Sequence, residues 1–234
     1  MDDTLFDHAL TSRAALAALQ RAWPLLDRRS LGDVWQEYSR LLESVYPAVL
    51  AGSVTADEAR TLRFQMLARY CGRSISAAEG AKRSRMYREG YQRLRRAVPG
   101  AQALLERLHG RTVIGVVSNN ETREQQEKLA YLGLDRFIDV LVVSEEVGTA
   151  KPDPRIFEVA LERASVAADE SVMIGDSWRN DIVGARNAGI GAVWFNRFRA
   201  EAPDGARVPE VHSFRAPRRV EDVLFREAAR SRTG

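Results

Sequence analysis

The chain has 234 residues, 45% of them hydrophobic, with 35 basic against 32 acidic side chains and a net charge of +3. That length and apolar content suit one domain with a large insertion, or two modest domains, able to bury a real core. The small basic excess is spread along the chain rather than gathered on a face, which argues against nucleic acid; no apolar run reaches membrane-span length, and the single Cys71 excludes a disulfide framework or a cysteine metal site and fits a reducing, cytoplasmic compartment.

The first seven residues, MDDTLFD, set an acidic pair, a threonine and two large apolar residues together, as the end of a catalytic loop does. A loop of that kind normally follows a hydrophobic strand. From residue 10 to residue 98 the text is helical instead. Leu31, Val34, Tyr38, Leu41, Leu42 and Val45 recur at helical spacing. Two capping boxes follow, Thr55 with Glu58 and Ser76 with Glu79. They start helices that carry Leu62 and Met66, then Met86, Tyr87, Tyr91 and Leu94. No β-rich run interrupts this stretch, so residues 10–98 are predicted to form a four-helix unit. The arginines at 85, 88, 93, 95 and 96 read as the solvated face of its last helix.

Pro99-Gly100 breaks the helical text, and the pattern then alternates. A helix from Ala101 to His109 leads into TVIGVVSNN. A helix from Glu121 to Tyr131 leads into IDVLVVS, and one from Pro154 to Ala164 leads into SVMIGDS. A helix from Asp181 to Ala188, stopped by Gly189, leads into IGAVWF. Short apolar runs alternating with helices predict an α/β domain, residues 1–9 and 99–234, whose parallel sheet is covered on both faces. A short strand at Val211–Phe214 and a helix near Val220–Ala229 close the chain.

Open parallel sheets bind ligands beyond the carboxyl ends of their strands. The residues found there are Ser118-Asn119-Asn120, Ser144-Glu145-Glu146 and Gly175-Asp176-Ser177, with Lys151 in the loop GTAKPDP and Asp181 at the next helix start. Lys151 is one of only three lysines, with Lys82 and Lys128, in an arginine-rich chain. A hydroxyl and helix-start N–H groups hold phosphate oxygens. A lysine balances charge spread over those oxygens, and carboxylates give Mg²⁺ hard ligands. Singly, SNN reads as a helix cap, KPDP as a polar loop and GDSWRND as a turn. Their order, each at a strand end, points to phosphoryl chemistry.

VVSNN, KPDPRIF and IGDSWRNDIVGARNAG resemble motifs two, three and four of the haloacid dehalogenase-like superfamily, and the helical block resembles the cap inserted after motif one. The resemblance covers nearly the whole chain. It implies a Rossmann-like α/β core plus a four-helix cap. Motif one of that family reads Asp-x-Asp-x-Thr, and Met1, Asp2, Asp3 and Thr4 supply all but its first residue. The family's nucleophilic aspartate then belongs immediately before Met1, on a strand in the middle of the sheet. The expectation is that Met1 is an internal methionine, that the sheet shows a slot between the strands ending at Ser118 and Gly175, and that residues 1–234 alone are inactive.

The resemblance implies a Mg²⁺-dependent phosphatase acting through an aspartyl-phosphate. Asp2 is the general acid and base. Ser118, Asn119 and Lys151 bind the phosphate, with Lys151 and Ser118 also in catalytic roles. The metal is held by the backbone carbonyl of Asp2, by Asp176 and, directly or through water, by Asp181. The expected partner is a small phosphorylated metabolite, with no nucleic acid and no membrane, in a monomer or homodimer. Two rivals remain. A metal-free dehalogenase of the same superfamily has no need of the acid pair in GDSWRND, and a non-catalytic binding protein has no need of Ser118, Lys151, Asp176 and Asp181 together.

Overall fold

The computed structural model describes residues 1–232, without the side chains of Leu50 and Asp204, and divides into two compact units: Met1–Asp7 with the chain from Arg96 onward, and His8–Arg95. Against the expected division, residues 8 and 9 belong to the helical unit and residues 96–98 to the α/β unit. Among the described residues no helix is long and apolar enough to cross a membrane.

The helical unit contains α1 (His8–Ala22), a 3₁₀ turn (Pro24–Arg28), α2 (Leu31–Leu50), α3 (Ala56–Tyr70) and α4 (Ala77–Arg93). Polar side chains start three of the helices. Ser30 Oγ accepts the Asp33 N–H at 3.1 Å. At Thr55 the capping box is complete, its hydroxyl accepting from Glu58 N at 3.2 Å while the Glu58 carboxylate accepts from Thr55 N at 2.8 Å. Ser76 makes only the forward half, accepting from Glu79 N at 3.2 Å, and the second box expected there does not close. Arg83, one turn on, takes the Glu79 carboxylate instead at 2.6 Å. Leu16, Leu26, Leu41, Phe64 and Leu67 are fully buried inside the unit. The rings of Tyr38, Phe64 and Tyr87 pack around one point, with centroids 4.9, 5.5 and 5.6 Å apart.

The other unit is a Rossmann-like α/β fold. In chain order it has α5 (Ala101–Leu108), β1 (Gly115–Ser118), α6 (Thr122–Leu132), β2 (Val140–Val143), α7 (Ser144–Val147), α8 (Pro154–Ala164), β3 (Val172–Gly175), a π-helical turn (Trp178–Val183), α9 (Gly184–Asn187), β4 (Gly191–Phe195), β5 (Glu210–Val211) and α10 (Pro217–Ser231). All strand pairs are parallel, as helical crossovers require. They form two pieces, β1 with β2 and β3 with β4 and β5. Among the described residues, β1 and β3 therefore each carry one edge that pairs with no other strand. Between them the chain start makes a tight loop. The Met1 carbonyl accepts from Leu5 N at 2.8 Å and Phe6 N at 3.1 Å, while Val98 N donates to Leu5 O at 2.8 Å and Asp7 N to Arg96 O at 3.0 Å.

Val142, Ile156, Phe157, Ile182, Ala185, Ile190, Ala192 and Trp194 form a buried cluster joining α8, the π-helical turn and the strands. Two expectations change. The strand predicted at Val211–Phe214 shrinks to Glu210–Val211, because the Phe214 ring leaves the strand to stack on Phe195 at 4.0 Å. The helix predicted to open at Asp181 begins three residues earlier, with Ser177 Oγ as its cap accepting from Asn180 N at 3.3 Å. Its first turn is the π-helical one, and Asp181 lies inside it. The Asp181 side chain folds back over Gly175, where a Cβ would lie 2.3 Å from its Oδ2. Wide turns of this kind recur at functional sites.

Candidate active site

Ser118 and Asp176 stand at or just after strand ends, Lys151 in the loop after α7, Asp181 in the π-helical turn and Asp2 in the loop at the chain start. Ser118 ends β1. Asn119 follows it and clamps the Lys151 backbone from both sides: its Nδ2 donates to Lys151 O at 2.8 Å, and its Oδ1 accepts from Lys151 N at 2.7 Å. The side chain of Asn119 is thus spent on holding the Lys151 loop, so a phosphate contact from Asn119 falls to its backbone N–H. Lys151 reaches inward. Its ammonium donates to Val117 O at 2.9 Å and to Asp181 Oδ1 at 2.6 Å. Both side chains are almost completely buried.

Asp181 accepts a second bond, from Ser177 N at 3.0 Å to Oδ2. Burial alone would push its carboxyl up. The adjacent Lys151 ammonium, with the bonds from Lys151 and Ser177, outweighs burial and holds it below the ordinary aspartate value. Asp176 is the opposite case. Burial first, then repulsion from Asp181, raises its pKa. Its backbone carbonyl is fixed by Trp194 Nε1 at 2.9 Å, and Thr4 Oγ1 donates to its Oδ1 at 2.8 Å. Motif one and motif four therefore meet through Thr4. The backbone nitrogen of Met1 is buried beside Lys151, Asp2, Asp176 and Asp181.

The Asp2 carboxylate turns to the other side of this cluster. Lys128 Nζ lies 2.8 Å from its Oδ1, Gln125 Nε2 2.8 Å from its Oδ2, and Asn120 Nδ2 3.3 Å from the same oxygen. Lys128 is buried. Burial opposes its charge, but Asp2 and Glu124 outweigh burial and raise its pKa. Gln125 and Lys128 were not among the predicted site residues. One signal was in the sequence: Lys128 is one of three lysines, and it follows Gln125 by three positions on one helix face.

Arg197, just beyond β4, was also not anticipated. It pairs with the fully buried Asp7 at 3.1 Å and stands 3.9 Å from Asp3, so the carboxylate of Asp3 faces this guanidinium.

Magnesium takes one or two carboxylates and keeps several waters. Among the described residues no three His, Cys, Asp or Glu side chains stand together as a metal-binding group. Of the predicted ligands, Asp2 and Asp181 have carboxylates already paired with Lys128 and Lys151. Asp176 does fit a cation. Its buried charge is repelled by Asp181, and a divalent ion would relieve both burdens.

Residues 40–195 match a family model described as haloacid dehalogenase-like hydrolase. The chain is 30% identical over 200 residues to the pyrimidine 5'-nucleotidase YjjG of Escherichia coli (strain K12), covering 85% of this chain and 87% of that protein. Among solved structures, the HAD-hydrolase YfnB from Bacillus subtilis bound to magnesium is similar with a TM-score of 0.79 at 25% identity, covering 96% of each chain. A 2-haloacid dehalogenase from Pseudomonas syringae pv. Tomato DC3000 is similar with a TM-score of 0.64 at 29% identity, covering 97% of this chain and 96% of that one. The chain belongs to the haloacid dehalogenase-like hydrolases.

Proposed function

We propose that this fold serves a Mg²⁺-dependent phosphatase of small phosphate esters, working through an aspartyl-phosphate. The observation that supports it best is the single cluster of Thr4, Lys151, Asp176 and Asp181 around the backbone nitrogen of Met1. In the family's motif one the attacking carboxylate stands one position before the place that Met1 takes, and a residue joined to that nitrogen would enter this cluster.

The Ser118 hydroxyl, the Asn119 backbone N–H and the Lys151 ammonium would hold the phosphate oxygens against the attacking carboxylate. A carboxylate oxygen bonds to phosphorus as the ester oxygen departs, and Asp2 gives that oxygen its proton. In the second half Asp2 takes a proton from water, whose oxygen attacks phosphorus and releases phosphate and the free carboxylate. Asp176 and the Asp2 backbone carbonyl would hold Mg²⁺, with Asp181 acting through a bound water, and the ion would supply charge neutralisation at the phosphate oxygens.

Asp3 is not the nucleophile in this reading, because its carboxylate faces Arg197. The dehalogenase reading is weaker, because carbon attack makes no use of a buried carboxylate that welcomes a cation. The test is p-nitrophenyl phosphate hydrolysis, with and without Mg²⁺, by the protein extended with an aspartate placed immediately ahead of Met1. Metal-dependent turnover by that form is the expected result. Metal-independent turnover of an α-haloacid would favour the dehalogenase. Turnover of neither compound would leave the binding protein.

A further inference from the structure

The start of α6 makes contacts that the mechanism above does not use. Gln125 is fully buried, and its Nε2 donates to two functional groups at once, Asp2 Oδ2 at 2.8 Å and Ser118 Oγ at 2.7 Å. One turn on, Lys128 Nζ lies 2.8 Å from Asp2 Oδ1 and 2.8 Å from Glu124 Oε1, and it stands 4.9 Å from the centroid of the Phe6 ring. Both oxygens of the Asp2 carboxylate are therefore held by side chains of one helix.

The hydrogen-bond inventory makes this arrangement directional. An ionised carboxylate, the form in which Asp2 takes a proton from water, only accepts, so in that state the Gln125 amide turns its nitrogen toward Asp2. The same nitrogen then faces Ser118, whose oxygen becomes an acceptor. A serine hydroxyl has one proton, and that proton is consequently free to be aimed away from Gln125. The other end of the amide, Gln125 Oε1, is buried with no hydrogen-bond partner among the described residues. Leaving such an atom unpaired costs about 1–3 kcal/mol. A methionine or leucine would fill the space without that cost. The amide makes both nitrogen contacts while its oxygen stays unpaired among the described residues.

We infer that Gln125 is a positioning residue for phosphoryl transfer. One amide turns the Ser118 hydroxyl proton toward the phosphate and sets the Asp2 carboxylate at the leaving group, while Lys128 fixes the second Asp2 oxygen. This rests on the phosphatase reading.

The test uses the protein extended with an aspartate placed immediately ahead of Met1, with two substrates and one inhibitor. p-Nitrophenyl phosphate has a leaving group that needs little protonation, an alkyl phosphate needs a proton badly, and inorganic phosphate reports the phosphate seat. Gln125→Met should lower kcat/KM for the alkyl ester by about tenfold more than for the aryl ester. It should also weaken inhibition by phosphate. Lys128→Met should show the leaving-group effect alone, because Lys128 holds Asp2, whereas Gln125 holds Asp2 and Ser118 together. Gln125→Glu, close to isosteric, would accept the Ser118 proton and should weaken phosphate inhibition further than Gln125→Met. Melting temperatures identify any variant that fails to fold, and the remaining variants then carry the comparison. Equal losses on both esters with unchanged phosphate inhibition would overturn the inference. Failure of the unsubstituted protein to hydrolyse either ester is a separate result, and it would overturn the phosphatase reading together with this one.

Discussion

Lys151 Nζ lies 2.6 Å from Asp181 Oδ1, and the same ammonium donates to the carbonyl of Val117 at 2.9 Å. One side chain thus ties the last turn of β1 to the π-helical turn that follows β3. Those strands belong to separate pieces of the parallel sheet. The link between them at the catalytic edge is ionic and buried, and a buried pair depends on both its members.

Lys151→Met should be strongly destabilising. It removes the cation and leaves the Asp181 carboxylate buried beside Asp176. Breaking a buried pair from one side typically costs about 3–5 kcal/mol. Pairing it with Asp181→Asn removes the stranded charge and should recover most of the loss. Urea unfolding of the two variants checks this. A loss under about 1 kcal/mol for Lys151→Met, the range of exposed pairs, would mean that solvent reaches the pair.

Asp176→Asn should do the opposite. The Asp176 pKa is raised by burial and by Asp181, so its ionised form opposes folding. The sign follows from linkage: a carboxyl with a raised folded pKa favours the folded state while protonated and loses that advantage as pH rises through the raised value. At neutral pH the amide should therefore raise the melting temperature in metal-free buffer, by about 1 kcal/mol of stability. It should also abolish the upward shift that Mg²⁺ produces in the unsubstituted protein. A variant that melts lower without metal, yet still responds to Mg²⁺, would remove Asp176 from the metal site.

What the sequence disclosed was what depends on local position. Ser118, Asp176 and the Lys151 loop each follow an apolar run, and a parallel sheet puts every such end at one edge. Gln125 and Lys128 were opaque because their meaning lies in a contact with Asp2, more than a hundred residues away in the chain. Helical spacing tells which face they share, but not what that face meets. The second capping box failed for a different reason. Glu79 has two local partners within reach, the Ser76 N–H and Arg83, and spacing alone does not rank them. The π-helical turn could not be read either, since it needs the Asp181 side chain to fold over a residue without a Cβ.

That last dependence makes Gly175→Ala a sharp substitution. The new Cβ would lie 2.3 Å from Asp181 Oδ2 and 2.4 Å from its Cγ, so the carboxylate must move and the bond to Lys151 must lengthen. Overpacking of this kind costs about 1–3 kcal/mol, and partial loss of the buried pair adds to it. Gly115→Ala is the control. It also sits in a strand of this unit, but its Cβ would have nothing within 4 Å. Thermal unfolding should show a large drop for the first and little change for the second. Equal effects would mean that the Gly175 turn relaxes without disturbing Asp181.

The last prediction concerns acid, away from the active site. Glu221 on α10 receives Arg107 Nε at 2.7 Å and pairs through its other oxygen with Arg111. The hydrogen bond from Arg107 is the first cause that holds its carboxyl below the ordinary glutamate value. With the folded pKa below the unfolded one, the unfolded chain takes up a proton first as pH falls. The stabilisation is therefore complete above the unfolded value and drains away as pH drops through it toward the folded value. Glu221→Gln should lower the melting temperature near neutral pH, and the gap to the unsubstituted protein should close as pH falls through the unfolded value toward the lowered folded one. Melting curves for the two proteins across that range test it. A gap that stays constant as pH falls would show that Glu221 holds α10 against α5 by packing and neutral hydrogen bonds rather than by its charge.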